Sequence, residues 1–219
     1  MIKAVIFDVD GTLVDSEPLH VLAWDKALRF YDFSLEDLSE GLQNSIAGRK
    51  PLKNAEDMVE ELHLSIDAET LLKQKTDIFM DLLRSDLHGM PGLTVCLEGL
   101  KKDGYRLAIG TSQVDPYITL ALDGLLIKDY FEVIVMGSEI TNGKPHPETY
   151  LTVIKKLGLD PEECIVVEDA TTGITSAKAA GCLCIAIENH KAKRQDTSLA
   201  DKVITSLDEI TDSYIKKTN

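Results

Sequence analysis

The chain has 219 residues, of which 44% are hydrophobic and 27% charged, and its formal net charge is -14. This composition is typical of one or two compact globular domains, and the negative charge disfavours nucleic acid as a partner, because phosphate backbones need a basic surface. No apolar run approaches the roughly 20 residues of a membrane helix and no signal-peptide pattern precedes the first apolar segment, so we expect a cytoplasmic protein without membrane or nucleic-acid partners.

Short apolar segments alternate with amphipathic stretches along most of the chain. Six of the apolar segments are rich in Val, Ile and Leu without strict alternation, which is typical of strands buried on both faces of a parallel sheet. These predicted strands are Ile2–Phe7, Arg106–Gly110, Val133–Met136, Ile165–Val167, Leu183–Ile187 and Val203–Ile204.

Helical periodicity fills the segments between several of these strands. The predicted helices are Leu93–Lys102, Tyr117–Leu125, Pro147–Leu157 and Thr172–Ala180. Three of them are followed by a glycine, Gly104, Gly158 or Gly181, at the place where a C-terminal cap is expected. The repeated strand–helix unit predicts an α/β fold with a doubly wound, Rossmann-like parallel sheet.

One long stretch interrupts this alternation. From Ser16 to His88 the pattern is helical and acidic, without a clear strand, and the segment Gly89-Met90-Pro91-Gly92 ends it with residues that break regular structure. We therefore expect residues 1–15 and 89–219 to form the core domain and residues 16–88 to form an inserted all-helical domain.

Polar residues follow the predicted strands at the points where ligands of open parallel sheets bind, beyond the carboxyl ends. They are Asp8, Asp10, Gly11 and Thr12 after the first strand, Thr111 and Ser112 after the second, Lys144 in the loop before the helix at 147, and Glu168 and Asp169 after the fourth. We expect these groups to meet at one edge of the sheet.

The chemistry of this set suits phosphoryl transfer. Asp8 is the candidate nucleophile, which would form an acyl phosphate, and Asp10 is the candidate general acid and base. Thr111 and Lys144 are candidates for holding the transferred phosphate. Gly11 permits a tight turn whose backbone N–H groups can hold phosphate, and Thr12 and Ser112 are further candidate phosphate contacts.

The predicted cofactor is Mg²⁺, because a divalent cation removes the repulsion between a carboxylate and a phosphate dianion, and hard oxygen ligands select magnesium. Asp8 and Asp169 can supply carboxylate oxygens, and Asp10 can supply its backbone carbonyl. Taken singly, Glu168 and Asp169 are also compatible with capping the next helix, and Lys144 with a solvated loop lysine. The ordered combination favours the chemical interpretation.

Four segments, in this order, resemble the haloacid dehalogenase superfamily of phosphatases and phosphomutases. They are FDVDGT at 7–12, GTS at 110–112, GKPHPE at 143–148 and VVEDA at 166–170. The resemblance implies the same roles for Asp8, Asp10, Thr111 and Lys144, and it adds Glu168 as a magnesium ligand or as a neighbour of the ligands.

The inserted helical segment resembles the family's cap, which closes over the site and selects the substrate. In it, Ala47-Gly48-Arg49-Lys50 resembles the specificity loop. The resemblance makes His20, Arg49 and Lys75 candidate substrate-binding residues. Simpler interpretations place Trp24 in a core and leave Lys75 in solvent.

We expect a monomeric, Mg²⁺-dependent phosphatase that hydrolyses a small phosphorylated sugar or polyol through an aspartyl phosphate. A β-phosphoglucomutase is the alternative in the same chemical class, but Arg49-Lys50-Pro51 follows Gly48 where the mutase has a serine-arginine pair a few residues on. A phospho-acceptor receiver module is the alternative of another class. It is disfavoured because such modules are near ~120 residues, the size of one small domain, and lack the helical insertion.

Overall fold

A computed structural model describes residues 1–46, 51–188 and 195–218 of the chain. Within these ranges the chain forms two compact units. The first, the core unit, contains residues 1–15, 88–188 and 195–218, and the second, the helical unit, contains residues 16–46 and 51–87. No helix in the described ranges is both long enough and apolar enough to cross a bilayer.

The end of the helical unit differs by one residue from the sequence-based expectation. His88 was expected in the inserted segment, but it belongs to the core unit. Its carbonyl accepts a hydrogen bond of 3.0 Å from the Asp15 N–H, and Val14 forms an antiparallel bridge to Gly89. These backbone bonds join the two chain segments that lead out of and back into the core unit.

The core unit is built on one six-stranded parallel sheet, which confirms the predicted α/β fold. Its strands are β1 (Ala4–Phe7), β2 (Arg106–Gly110), β3 (Val133–Val135), β4 (Cys164–Glu168), β5 (Leu183–Ile187) and β6 (Lys202–Ile204). The strand order is β3-β2-β1-β4-β5-β6, so the first strand lies in the middle and the direction of winding reverses there.

The register of the central strands brings the predicted site residues to one level. Phe7, the last residue of β1, pairs with Ile109 of β2 on one side and with Val167 of β4 on the other. Because the strands are parallel, the residues that follow these three positions emerge at the same edge of the sheet. Every residue of β1 and β4 is buried, which explains their continuous apolar runs.

Five helices accompany the sheet in the core unit. They are α5 (Leu93–Lys102), α6 (Tyr117–Gly124), α7 (Glu148–Leu157), α8 (Thr171–Ala179) and α9 (Asp212–Thr218). Apolar residues of α7 and α8, among them Val153, Leu157 and Ile174, belong to the same buried cluster as Ile6 and Val166 of the sheet. The first turns of both helices lie beside the carboxyl edge of the sheet, because the Tyr150 hydroxyl in α7 and the Ala170 N–H directly before α8 both donate to Glu168 at the end of β4.

The helical unit contains α1 (Glu17–Arg29), α2 (Glu40–Ser45), α3 (Pro51–Glu61) and α4 (Ala68–Ser85). It has its own apolar core, which includes Trp24, Leu28, Met58 and Leu71. Trp24 thus packs in a core as the apolar face of its helix predicts. The Asp67 carboxylate caps the N-terminus of α4 by accepting the Thr70 N–H at 2.7 Å, which satisfies one of the unpaired donors of the first turn.

Candidate active site

Three carboxylates converge at the carboxyl edge of the sheet. Asp8 follows β1, Glu168 ends β4 and Asp169 comes next, and one oxygen from each lies within 4.8 Å of the others. Asp8 is 8% exposed and Glu168 is 1% exposed. The two segments that sequence analysis paired as candidate magnesium ligands are therefore adjacent in space.

Lys144 joins this acidic cluster from the loop that precedes α7. Its Nζ donates to Asp8 Oδ1 at 2.5 Å, to Glu168 Oε1 at 2.6 Å and to the Gly110 carbonyl at 3.2 Å. Only 8% of its side chain is exposed, so the alternative of a solvated loop lysine is wrong. The ammonium group therefore donates its three hydrogen bonds to residues at, or directly after, the ends of three different strands.

Glu168 is held by four hydrogen bonds, two on each carboxylate oxygen. Oε1 accepts from Lys144 and, at 2.8 Å, from the hydroxyl of the fully buried Tyr150. Oε2 accepts the backbone N–H groups of Asp169 and Ala170, each at 3.0 Å, directly before α8. Glu168 therefore caps the approach to a helix and also anchors Lys144, so the two interpretations of this residue are compatible.

Tyr150 was not among the residues singled out from the sequence. Besides its bond to Glu168, its ring centroid lies 4.8 Å from Lys144 Nζ, a distance at which an aromatic face attracts a cation. The segment GKPHPE carries no signal for this contact beyond the apolar face of the helix that follows it.

Two glycines make room for the carboxylates. Gly11 has a φ of +69°, and a Cβ there would overlap the Asp169 carboxylate. Gly173 lies in α8, where a Cβ would overlap the carboxylate of Glu168. The need for Gly11 follows from its turn, whereas the need for Gly173 is visible only once β4 and α8 are packed together.

Burial and the charges of neighbouring groups shift the pKa values of two carboxyl groups of the acidic cluster and of Lys144. Burial raises the pKa of Asp8 to about 7, with Lys144 opposing and the Glu168 and Asp10 charges adding to the rise. Burial and the neighbouring carboxylates raise the pKa of Asp169 well above its usual range. Burial acts to lower the pKa of Lys144, but the charges of Asp8 and Glu168 raise it above its usual value. Three carboxylates thus face one ammonium group, and the all-oxygen donor set with its excess negative charge fits a hard divalent cation.

Asp10 lies beside this cluster and has partners of its own. Its Oδ2 accepts a hydrogen bond from Gln113 Nε2, and its Oδ1 accepts one from the Tyr117 hydroxyl. Neither donor was singled out from the sequence, because neither belongs to the motif segments. A carboxylate bound on both oxygens has a fixed orientation, which suits a group that transfers protons.

The remaining candidates in the core unit lie in the loops around these groups. Thr111 is 1% exposed and its Oγ1 accepts the Gln113 N–H at 3.1 Å, whereas Ser112 is exposed at the same loop. The Gly11 N–H donates to the Val14 carbonyl and the Thr12 N–H to the Val9 carbonyl. These two N–H groups therefore close the turn, and phosphate contacts by Gly11, Thr12, Thr111 and Ser112 stay predictions.

His20 and Lys75 meet within the helical unit. Lys75 Nζ lies 2.7 Å from His20 Nδ1 and 4.7 Å from the ring centroid of Phe79, on which the His20 ring stacks. Lys75 is 5% exposed, so the interpretation of this lysine as solvated is wrong. Its aliphatic stem and the aromatic faces around its ammonium group explain how a charge is accommodated there. Arg49 and the rest of the predicted specificity loop, 47–50, lie outside the described residues.

Comparison with known proteins matches this geometry. A family model described as "Haloacid dehalogenase-like hydrolase" matches residues 5–187 of the chain. A crystal structure of a HAD hydrolase, family IA, variant 3, from Entamoeba histolytica superimposes with a TM-score of 0.83 at 27% sequence identity, covering 99% of both chains.

Two curated relatives carry names that refer to sugar or polyol phosphates. The phosphorylated carbohydrates phosphatase of Thermotoga maritima is 34% identical over 82% of this chain and 82% of its own length. Hexitol phosphatase A of Escherichia coli is 32% identical over 95% of this chain and 93% of its own length. The similarity extends through both compact units of the chain.

Proposed function

Because the chain belongs to the family of haloacid dehalogenase-like hydrolases, we propose that it is a Mg²⁺-dependent phosphatase that hydrolyses a small phosphorylated sugar or polyol through an acyl phosphate on Asp8. The observation that carries this proposal is the buried pairing of Asp8 with Lys144, 2.5 Å apart, inside a cluster with excess negative charge. An attacking carboxylate needs both features: a fixed cation against the incoming phosphate, and excess negative charge that attracts a second cation beside it.

The residues that would hold Mg²⁺ are Asp8 and Asp169 through their carboxylates and Asp10 through its backbone carbonyl. When bound, the ion offsets the negative charge that gathers between the phosphate oxygens and the attacking carboxylate. Glu168 would support this site without binding the ion itself, because its two carboxylate oxygens accept four hydrogen bonds from Lys144, Tyr150 and the backbone directly before α8. It holds Lys144 against Asp8 and adds to the negative field.

The first half of the reaction is the transfer of the phosphoryl group to the protein. A carboxylate oxygen of Asp8 forms a bond to phosphorus while the bond from phosphorus to the sugar oxygen breaks. Asp10 gives its proton to that oxygen, so the sugar leaves as an alcohol. Lys144 stays beside the phosphoryl oxygens and offsets their charge.

The second half returns the protein to its starting state. Asp10, now a carboxylate, takes a proton from a water molecule as the water oxygen attacks phosphorus. The bond between phosphorus and Asp8 breaks, inorganic phosphate leaves and the Asp8 carboxylate is regenerated. One carboxylate thus serves as acid in the first half and as base in the second.

The names of the two curated relatives support a phosphorylated sugar or polyol as the substrate class. The helical unit would act as the cap that selects among such substrates. His20, Lys75 and Arg49 would contribute to that selection, and the contact between His20 and Lys75 (2.7 Å) would present a cation in a fixed place. A cap that covers the site would also exclude competing water during the first half of the reaction.

The experiment that tests this function measures phosphate release from sugar phosphates, polyol phosphates and 4-nitrophenyl phosphate. We expect release with Mg²⁺ and none after chelation. Asp8→Asn should lower turnover by about 10³-fold or more, because the nucleophile is lost while the shape of the side chain is kept. Asp129→Asn, which changes an exposed aspartate in the 3-10 turn at Lys128–Tyr130, serves as the matched control and should keep full activity.

Two results would reject the proposal. Full activity of Asp8→Asn would show that Asp8 is not the nucleophile, and turnover unaffected by chelation would show that the reaction needs no metal ion. Conversion of glucose 1-phosphate to glucose 6-phosphate with little free phosphate would instead identify a mutase.

A further inference from the structure

Both oxygens of the Asp10 carboxylate accept hydrogen bonds from a single short segment of chain. Gln113 and Tyr117 donate to its two oxygens, one donor to each. Gln113 lies in the connection between β2 and α6, and Tyr117, four residues later, is the first residue of α6. They reach Asp10 across 103 and 107 positions of sequence. No motif segment contains either residue.

The segment that carries these donors is itself fixed to the sheet. Tyr117 is the first residue of α6 and is 6% exposed. The Gln113 N–H bonds to Thr111 Oγ1 at 3.1 Å, and the Gln113 carbonyl accepts the Gly137 N–H at 2.8 Å. A Cβ at Gly137 would overlap the Ser112 carbonyl, so the loop lies directly against a residue two positions after the end of β3. The two donors are therefore held in place, and they would not move with the Asp10 carboxylate if it rotated.

The geometry has a direct consequence for proton transfer. A single hydrogen bond leaves a carboxylate free to rotate about its Cβ–Cγ bond, whereas one donor on each oxygen fixes the plane of the group. Each carboxylate oxygen has a second lone pair, and fixing the plane fixes the direction of that lone pair. Proton transfer is sensitive to such alignment, since about 1 Å of misplacement can cost about 10²-fold in rate.

We propose that Gln113 and Tyr117 are positioning residues that orient the Asp10 carboxyl group towards the leaving oxygen and the attacking water. This inference rests on the proposed function, because it needs Asp10 to be the acid and base. Neither residue is required to touch the substrate, and both act through Asp10.

The test uses leaving groups that differ in their need for an acid. When a sugar or polyol leaves, its oxygen must receive a proton as the bond to phosphorus breaks. When 4-nitrophenol leaves, the anion is stable and no proton is required. The ratio kcat/KM reports on the first half of the reaction, so a misoriented Asp10 should lower this ratio for the polyol phosphate and spare it for the aryl phosphate.

We expect Tyr117→Phe and Gln113→Leu each to lower kcat/KM for a hexitol phosphate at least about 10-fold more than for 4-nitrophenyl phosphate. This loss would be a part of the rate enhancement of about 10²–10⁴-fold that general acid catalysis supplies. With 4-nitrophenyl phosphate, rapid mixing should show a burst of one nitrophenol per protein molecule, because the second half still needs Asp10 as a base. Tyr105→Phe is the matched control. This variant also removes a tyrosine hydroxyl that donates to an aspartate, Asp212, but Tyr105 directly precedes β2 and does not contact Asp10 in the described residues. It should change neither the difference in kcat/KM between the two substrates nor the burst.

Several outcomes would overturn the inference. Equal losses on both substrates, a rise in KM with unchanged kcat, or the absence of any loss would each show that the two residues do not orient Asp10. Thermal unfolding of each variant shows whether it is folded, and the half-exposed Gln113 provides a test that does not disturb a buried ring. If the wild type releases phosphate and Asp8→Asn does not, a negative result here rejects the positioning role alone and leaves the proposed function intact.

Discussion

At the scale of single residues, the site depends on positions where a side chain is absent. Gly173 and Gly99 both lie inside helices of the core unit, α8 and α5. A Cβ at Gly99 would meet nothing within 4 Å, whereas one at Gly173 would overlap the carboxylate that anchors Lys144. The same substitution should therefore have opposite effects at the two positions.

We expect Gly99→Ala to stabilise the protein by about 0.5–1 kcal/mol, which is the ordinary gain from replacing glycine within a helix. Gly173→Ala should destabilise it by about 1–3 kcal/mol, the usual cost of an overpacked buried site. It should also lower phosphate release, because Glu168 must leave its contacts with Lys144 and Tyr150. Thermal unfolding and phosphate release measured on both variants test this pair. Equal stability of the two would mean that Gly173 has room for a methyl group.

At the scale of elements, the end of α6 carries an unfavourable backbone. Leu126 follows the helix with a φ of +57°, in the left-handed region that costs an L-residue roughly 1–2 kcal/mol because its Cβ approaches the next carbonyl oxygen. Its side chain is 85% exposed, so it gains little packing energy in return. Glycine is the usual residue at such a position after a helix.

Leu126→Gly should raise the stability by about 0.5–1 kcal/mol, which is the relief of backbone strain minus the added entropy of the unfolded chain. For a chain of this size, the thermal midpoint would rise by about 1–4 °C. The control is the same substitution within a helix: Leu151→Gly in α7, where the side chain is 42% exposed, should lower the stability by about 1 kcal/mol. A lowered midpoint for Leu126→Gly would contradict the strain argument.

At the scale of the whole molecule, the acidic cluster links stability to pH and to metal. In the metal-free protein, the raised pKa values of Asp8 and Asp169 mean that the folded state holds protons that the unfolded state has released. Folding stability from this source is greatest below the unfolded pKa, near 4, and is lost as the pH rises through the folded value, about 7 for Asp8. The loss is at most about 1.4 kcal/mol per pH unit for each group.

Magnesium should reverse this trend, because it binds the ionised carboxylates and displaces their protons. We expect the rise in thermal midpoint that Mg²⁺ causes, relative to chelator, to be larger at pH 8 than at pH 5.5. Asp8→Asn should flatten the pH dependence of the metal-free protein, since one of the two titrating groups is removed. A magnesium effect that is absent, or the same at both pH values, would argue against a cation site formed by these carboxylates.

Local patterns were sufficient for the architecture and for much of the site. The six strands are found within two residues of their predicted ends, because a strand buried on both faces has a continuous apolar sequence that few other structures share. The motif residues Asp8, Lys144, Glu168 and Asp169 could be expected to converge, since parallel strands deliver their carboxyl ends to one edge. The monomeric state and the substrate contacts of the cap stay predictions.

What the sequence by itself determined is thus the fold, the family and the motif groups that meet at the edge of the sheet, all of which follow from short-range periodicity and from residues next to strand ends. Only the tertiary structure decided that Gln113 and Tyr117 hold Asp10, that Tyr150 anchors Glu168, and that Lys75 is buried against aromatic rings. These contacts join residues far apart in the chain, and a side chain's burial depends on the element packed against it, which no local pattern encodes.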